Sequence, residues 1–498
     1  MLLGFVILYL VISIGIGMYA ATKVHNARDY IAAGRSLPLY IVMAMVFATW
    51  FGAETVLGIP ATFLEEDLAG LISDPFGASL CLVLFGLFFA RKLYRMNLLT
   101  IGDFYRARYG RSVEVITGIA IALSYLGWVS AQITALGLVF NVLSDGGISQ
   151  AQGILIGAAV VLMYTLYGGM WSVALTTFFQ MIVIVLGLLY IAWLVSGMTG
   201  GVAPVIEHAA ANGKFNFWPE LNAVAMVAFI SGLLTMGFGS IPQQDVFQRA
   251  NASKNETVAV WGTVLGGVAY FLFAAVPLFL AYSANLIDPA LTARWLTEDS
   301  QKLLPELVKS HLPLVAQVIF YGALLSVIMS TASGTLLAPS VTISENVIKD
   351  FITRRRHIPE KQLLVITRWV VAAFAALVTL YALWALDQET GIHQMVENAY
   401  KVTLVVAFVP LVAGLYWQRA NTLGAILAIA LGLLTWLPME VWLPEGEGPV
   451  PPQFAGFLMA ATGMILGGLL GKTHPRHTGG AAHGAPAHVQ NSRGSPTR

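Results

Sequence analysis

Charge is scarce in this sequence. Asp, Glu, Lys and Arg make up 11% of the 498 residues while 57% are hydrophobic, and the mean hydropathy is +0.75. A soluble chain carries about 25% charged residues, so a water-soluble surface cannot be built from this composition and a cytosolic enzyme is excluded. Disorder is excluded everywhere but the ends. Cysteine is nearly absent: Cys81 stands alone, which leaves no disulfide framework and no cysteine-based metal site. Net charge is only +1, so there is no bulk attraction for nucleic acid. The short alternating segments of a membrane β-barrel are missing too. What remains is a polytopic all-α membrane protein.

Apolar runs near the length of a bilayer span fall at about 2–22, 38–63, 74–91, 112–142, 150–168, 171–196, 221–246, 257–283, 313–345, 362–387, 393–417, 420–440 and 454–471. The run Leu2–Ala21 has no basic leader or clear cleavage site and reads as a first span. Of the 27 Lys and Arg, 21 fall in the loops after spans 1, 3, 7, 9 and 11 and in the C-terminal tail; the opposite loops hold Lys214, Arg294, Lys302 and Lys309. Positive charge stays in the cytoplasm. The expectation is thirteen transmembrane helices with the N-terminus outside and the C-terminus inside, in a plasma membrane of bacterial inner-membrane type. The domain boundaries are 1–471 for the bundle and 472–498 for a cytoplasmic, histidine-containing tail too polar and Gly/Pro-rich to pack. The external loop 284–312 has room for one short amphipathic helix, Leu303 to Val308. No soluble domain exists, so function must reside in the bundle, with membrane lipid around it and no obligate protein partner evident.

An ionisable or polar cluster inside a membrane span is a functional candidate. Glu54 is mid-span in Thr49-Trp50-Phe51-Gly52-Ala53-Glu54. A carboxylate there costs several kcal/mol unless it is paired, protonated or wet. It is either structural glue or a working group. Gly52 and Gly58-Ile59-Pro60 let the helix break, and a broken helix frees carbonyls that can ligate a cation. Ser330-Thr331 in span 9 offers adjacent hydroxyls, hard oxygen donors suited to a small alkali ion, although such residues also bond to their own helix. Span 7 ends in Gly237-Phe238-Gly239-Ser240-Ile241-Pro242-Gln243, a poor continuous helix. The interrupted spans 2 and 7 are five apart, as in an inverted repeat of spans 2–6 and 7–11. Glu397 and Lys401 are spaced as an i,i+4 ion pair. Trp50 and Trp128 are mid-span, where rings either pack helices or wall a pocket.

At these residues the chain resembles the sodium/solute symporter family. Asp29-Tyr30, Gly34-Arg35, Leu99-Thr100-Ile101-Gly102-Asp103-Phe104, Arg108-Tyr109-Gly110, Tyr167-Gly168-Gly169-Met170-Trp171-Ser172-Val173 with Gln180, Met329-Ser330-Thr331, Pro410 and Trp417 with Arg419-Ala420-Asn421 carry the likeness over roughly 28–440. The resemblance implies a LeuT-type core of two inverted five-helix repeats with one helix before and two after. It also implies a sodium site with Ala48, Phe51 and Val327 carbonyls and Ser330 and Thr331 hydroxyls as ligands. Where the family often has Thr-Asp in span 6, this chain has Thr176-Thr177, so a carboxylate that supports a second cation is missing. Trp50-Phe51-Gly52, Gly127-Trp128, Ala135-Leu136-Gly137 and Ile241-Pro242-Gln243 look closest to the family's choline carriers, with proline-type carriers next. Trp50 and Trp128 fall where those place tryptophans around an ammonium, and Gln243 falls where a third would be.

The expected function is a sodium-coupled symporter that imports a small organic solute (an amine, an amino acid or similar) by alternating access, with substrate against Trp50, Glu54, Trp128, Ser240 and Gln243. The alternatives are a proton-coupled carrier of the same fold, with Glu54 or Lys401 as the coupling charge, and a membrane sensor, which would need a soluble output domain. An embedded enzyme would need a His/Asp/Glu cluster at one depth, and the histidines sit in loops, near span ends or in the tail.

Overall fold

A computed structural model describes residues 2–349, 359–388, 390–443 and 448–471. The tail expected at 472–498 lies outside the described residues. Among these residues the chain is helical, with one isolated bridge of strand type, Leu37 to Ser253. Among the described residues, nine helices are long and apolar enough to cross a bilayer: α4 (Leu68–Arg95), α5 (Arg111–Leu143), α7 (Gly168–Met198), α10 (Glu256–Ile287), α11 (Leu314–Ile348), α12 (Lys361–Asp387), α13 (Ile392–Tyr416), α14 (Thr422–Trp442) and α15 (Pro452–Leu470). Two bent pairs add to them: α2 (Leu39–Trp50) with α3 (Glu54–Glu65), bent by 54°, and α8 (Ala223–Gly239) with α9 (Gln244–Asn251), bent by 45°. The remaining apolar helices are α1 (Leu2–Ala21) and α6 (Gln150–Met163). Each of the thirteen apolar runs lies on one of these helices or bent pairs.

Helix ends are closed by the local sequence. Thr100 and Asp103 form a reciprocal capping box, as do Ser149 and Gln152, and Asn222, Asn255 and Asn421 each cap the helix that follows. Such caps matter more near lipid, where no water takes up an orphan N–H. Within the first turn of α7 the chain is kinked at Gly169, with φ +50°. A Cβ there would stand 2.5 Å from the Tyr30 carbonyl oxygen, so only glycine fits. The external loop differs from expectation. It holds two short helices, Pro289–Glu298 and Leu303–His311. Asp288 caps the first, its carboxylate accepting from Leu291 N at 2.9 Å, with Pro289 at the first helical position, the preferred place for proline. A further helix, Val202–Ala211, follows α7.

Helix α11 runs through the centre. Every residue from Phe320 to Thr342 is buried, so the helix has apolar neighbours all round rather than one apolar stripe. It packs on α1, α2, α5, α7, α9 and α12. The two bends sit beside it, each explained by its residues. Phe51 has φ −74° and ψ 73°, outside the helical region. Gly52 N then donates to Trp50 O at 2.8 Å, and Thr55 N to Gly52 O at 3.2 Å. At the second bend Ser240 ends α8, and Pro242 has no N–H to continue it.

Two glycines bring α13 close to both halves. A Cβ on Gly127 of α5 would lie 2.6 Å from Met395 O, and one on Gly239 of α8 would lie 2.6 Å from Tyr400 O. Both obstacles are backbone and cannot swing aside. Gly127→Val is expected to cost about 1–3 kcal/mol through overpacking, read as an earlier melting transition of the detergent-solubilised protein. Gly322→Ala, where a Cβ meets nothing within 4 Å, should leave the transition unchanged or raise it.

Candidate functional site

The break between α2 and α3 turns backbone oxygens toward α11. Thr331 Oγ1 donates to Ala48 O at 3.0 Å and lies 3.4 Å from Phe51 O. One residue earlier, Ser330 Oγ donates to Val327 O at 2.9 Å. All five residues are buried at 1% exposure or less. The structure thus joins Thr331 to Ala48 and Phe51 across the two helices, while Ser330 and Val327 are bonded to each other on α11, one residue away. An i−4 bond to its own helix, the ordinary fate of a threonine hydroxyl, is not the one Thr331 makes.

Helix α5 orders the rest of the site along its length. At its inner part Ser124 Oγ accepts from Gln243 Nε2 at 2.9 Å, and Tyr125 Oη donates to Asp245 Oδ1 at 2.5 Å. One turn on, Trp128 stacks on Trp50, with ring centroids 5.0 Å apart and planes 20° from parallel. Tyr400 of α13 closes the group at 5.3 Å from Trp50 and 5.5 Å from Trp128, and Tyr125 stacks on the same Trp128 at 5.8 Å. One further turn on, Gln132 Nε2 donates to Glu54 Oε2 at 2.6 Å, while Gln132 Oε1 accepts from Ala53 N at 2.9 Å. A single glutamine thus holds both the carboxylate and a backbone N–H freed by the break. Gly52 makes room for this: a Cβ there would sit 2.6 Å from Glu54 Oε2.

Several polar atoms at this level have no partner. Trp50 Nε1 and Tyr400 Oη are buried without a hydrogen bond, and Trp128 Nε1 lies beside Glu54 without a well-aligned bond to Oε1. Ser240 and Gln243 sit differently from the tryptophans. The Ser240 hydroxyl donates to Met236 O on its own helix at 2.5 Å, and Gln243 is engaged with Ser124. On the other side of α3, Thr55 Oγ1 donates to Trp50 O at 2.8 Å and is 3.4 Å from Tyr270 Oη. The Tyr270 hydroxyl in turn donates to Asp74 Oδ1. Asp74 Oδ2 is buried and unpartnered. In span 6, the Thr177 hydroxyl and both Gln180 side-chain atoms are also buried without partners.

The two ends of the site differ. Toward the basic end, Arg249 Nη1 donates to Asp245 Oδ2 at 2.8 Å, both side chains 2% exposed or less. Arg249 lies flat on α11, since a Cβ on Gly334 would meet its Nη2 at 2.2 Å. The pair is linked to the tryptophans through Tyr125, which donates to Asp245 and stacks on Trp128. Toward the end that the charge distribution assigns to the outside, a polar cavity of about 600 Å³ is lined by Glu65, Thr134, Leu138, Glu298, Asp299 and Ile392 among others. Thr134 is six residues beyond Trp128, about 9 Å along the helix axis. At the rim, burial and the neighbouring Glu65, Asp67 and Glu397 push the Glu66 carboxyl above its ordinary range.

One expectation is corrected. Lys401 does not pair with Glu397. Its ammonium donates to Glu440 Oε1 of α14 at 2.9 Å. Glu397 is turned instead toward the acidic rim. The sequence reading also missed Tyr125, Gln132, Asp245, Asp74 and Tyr400. Gln132 was findable, since it lies four residues after Trp128 and so shares its face.

The family model described as the Sodium:solute symporter family matches residues 30–432. The high affinity choline transporter 1 of Homo sapiens is 24% identical over 457 residues, with 87% of this chain and 75% of the transporter covered. The sodium/proline symporter of Escherichia coli (strain K12) is 26% identical over 472 residues, with coverages of 92% and 90%. The solved structure of a Na+-coupled sialic acid symporter, in a substrate-bound outward-open state, superposes with a TM-score of 0.79 at 17% identity, covering 96% of this chain and 99% of that one. The two bent helices and the central α11 therefore belong to a shared LeuT-type fold.

The buried Arg249–Asp245 pair yields a test. Removing one partner strands a charge, so Arg249→Met is expected to destabilise by about 3–5 kcal/mol. Pairing it with Asp245→Leu should restore much of that loss in a melting measurement.

Proposed function

The chain belongs to the sodium:solute symporter family, whose members import solute with sodium, and on that premise we propose where its cation and its solute sit. The sodium ion is held by the carbonyl oxygens of Ala48, Phe51 and Val327 and the hydroxyl oxygens of Ser330 and Thr331. One observation carries this reading. Thr331 Oγ1 reaches across from α11 to the carbonyls at the α2 break, at 3.0 and 3.4 Å. An ion there replaces the hydroxyl proton as the bridge and ties the broken helix to the central one. The donor set is uncharged, so the ion brings its charge with it. At a potential of 100 mV that charge is worth about 2.3 kcal/mol, enough to concentrate a neutral solute more than about tenfold.

The solute is a small organic molecule bound at the level of Trp50, Glu54 and Trp128, reached through the polar cavity above Thr134. Trp50 and Trp128 are in ring contact, so the solute takes an outer ring face or parts the rings. Ser240 and Gln243 form the floor on the α8–α9 side. Entry from the cavity, occlusion, and opening of the Asp245–Arg249 layer are the steps of alternating access. The protein functions in the plasma membrane.

A second reading has one observation in its favour. Glu54 Oε1 and Asp74 Oδ2 are buried without a well-aligned bond, and a proton would neutralise either group. Uptake driven by a pH gradient in the complete absence of sodium would establish it.

Thr331→Ala deletes one ligand and the bridge to α2. Loss of one such contact is worth about 1.5–3 kcal/mol, so the sodium concentration at half-effect should rise by about tenfold or more. Sodium-dependent thermal stabilisation of the purified protein measures this directly. An unchanged sodium midpoint in Thr331→Ala refutes the assignment.

A further inference from the structure

Glu54 combines three properties that a structural carboxylate would not share. Its side chain is 0% exposed. Its Oε2 accepts from the neutral Gln132 amide, and the Trp128 indole is the other side-chain donor beside the carboxylate, too poorly aligned to satisfy Oε1. Among the described residues, neither Glu54 nor Asp74 has an ion-pair partner within 4.0 Å. A buried carboxylate held only as structure would be expected to have both oxygens bonded or a cation beside it.

The turn below it is incomplete in a matching way. Trp50, Trp128, Tyr125 and Tyr400 present four aromatic rings at one level, and no Lys or Arg lies over any of them among the described residues. Trp50 Nε1 and Tyr400 Oη are buried without partners. The level therefore offers π faces, one carboxylate oxygen without a well-aligned bond and two idle donors. A cation completes the first two, and an acceptor oxygen on the same molecule completes the third.

From this geometry we infer that the solute is a small ammonium compound carrying at least one N–H together with an oxygen acceptor, its N–H received by Glu54 Oε1. This rests on the symporter reading above. The carboxylate is what separates this ligand from a quaternary ammonium. A fully methylated nitrogen is satisfied by aromatic faces but has no hydrogen to give, and it would leave Glu54 Oε1 without a well-aligned bond, as before. A protonated amine makes a charge-assisted hydrogen bond there, the stronger kind. An anionic solute without an amine would meet Glu54 as a like charge.

Two methylation ladders test the inference on the purified full-length chain in saturating sodium. Ethanolamine, N-methylethanolamine, N,N-dimethylethanolamine and choline form one. Glycine, sarcosine, dimethylglycine and betaine form the other. Binding is read by thermal shift and by quenching of tryptophan fluorescence. In at least one ladder, affinity is expected to fall by about tenfold or more between the last N–H-bearing member and the quaternary one. Glu54→Gln keeps the shape beside Gln132 and should flatten that step. Glu54→Asp, which keeps the charge, should weaken binding without reversing the order, and it serves where the glutamine variant does not fold. Equal or tighter binding of choline or betaine overturns the inference. So does a Glu54→Gln protein with the wild-type step, and so does an absence of binding in both ladders. Failure of the symporter reading shows separately, as loss of any sodium response in the wild-type protein before a ligand is added.

Discussion

The whole arrangement depends on how a chain inside a membrane deals with backbone groups that a helix no longer satisfies. When α2 stops at Trp50, the next N–H and C=O groups have no water to turn to, and each costs several kcal/mol if left bare. The neighbouring helices answer from two sides. Gln132 of α5 takes the Ala53 N–H, and Thr331 of α11 gives its hydroxyl to Ala48 O and Phe51 O. The freed backbone groups thus have side-chain partners on both sides of the break. The groups that keep the protein folded are also the groups that would change partners during transport.

The same residues join the cation level to the solute level. Gln132 holds the α3 start with its carbonyl and Glu54 with its amide. Glu54 is four residues after Trp50, and Gln132 is four after Trp128, so the polar pair and the stacked rings are successive rungs between the same two helices. Movement of α3 relative to α5 therefore alters the carboxylate and the aromatic wall together. A cation bound at the break as proposed would act on the proposed solute level through these rungs, with no long relay needed.

How much of this could be read from the sequence depended on distance along the chain. The bend after α2 is written locally, at Gly52, and so is the hydroxyl pair Ser330-Thr331; Gly58 and Pro60, also expected to break the helix, lie inside α3. Apolar runs located every long helix, since lipid demands about twenty apolar residues at each crossing. Tyr400 was not legible, because what brings it to Trp128 is two distant glycines, Gly127 and Gly239, that allow backbone contact. The partner of Lys401 was read wrongly because Glu397 offered a local solution. The actual partner is 39 residues away, and Trp436 Nε1 orients that Glu440 by donating to Oε2 at 3.0 Å. Asp74 was passed over as the edge of an apolar run, although the span begins at Leu68 and is kinked at Asp74.

Tyr400 and Lys401 are consecutive residues on α13 with unrelated duties: one touches the tryptophans, and the other grips Glu440 on α14. Successive side chains on a helix point about a hundred degrees apart. A twist of α13 that swings the phenol off Trp128 must also drag the ammonium across the face of α14. Glu440 of α14 is therefore a contact that such a twist would have to break or carry along, at a distance from the aromatic wall itself.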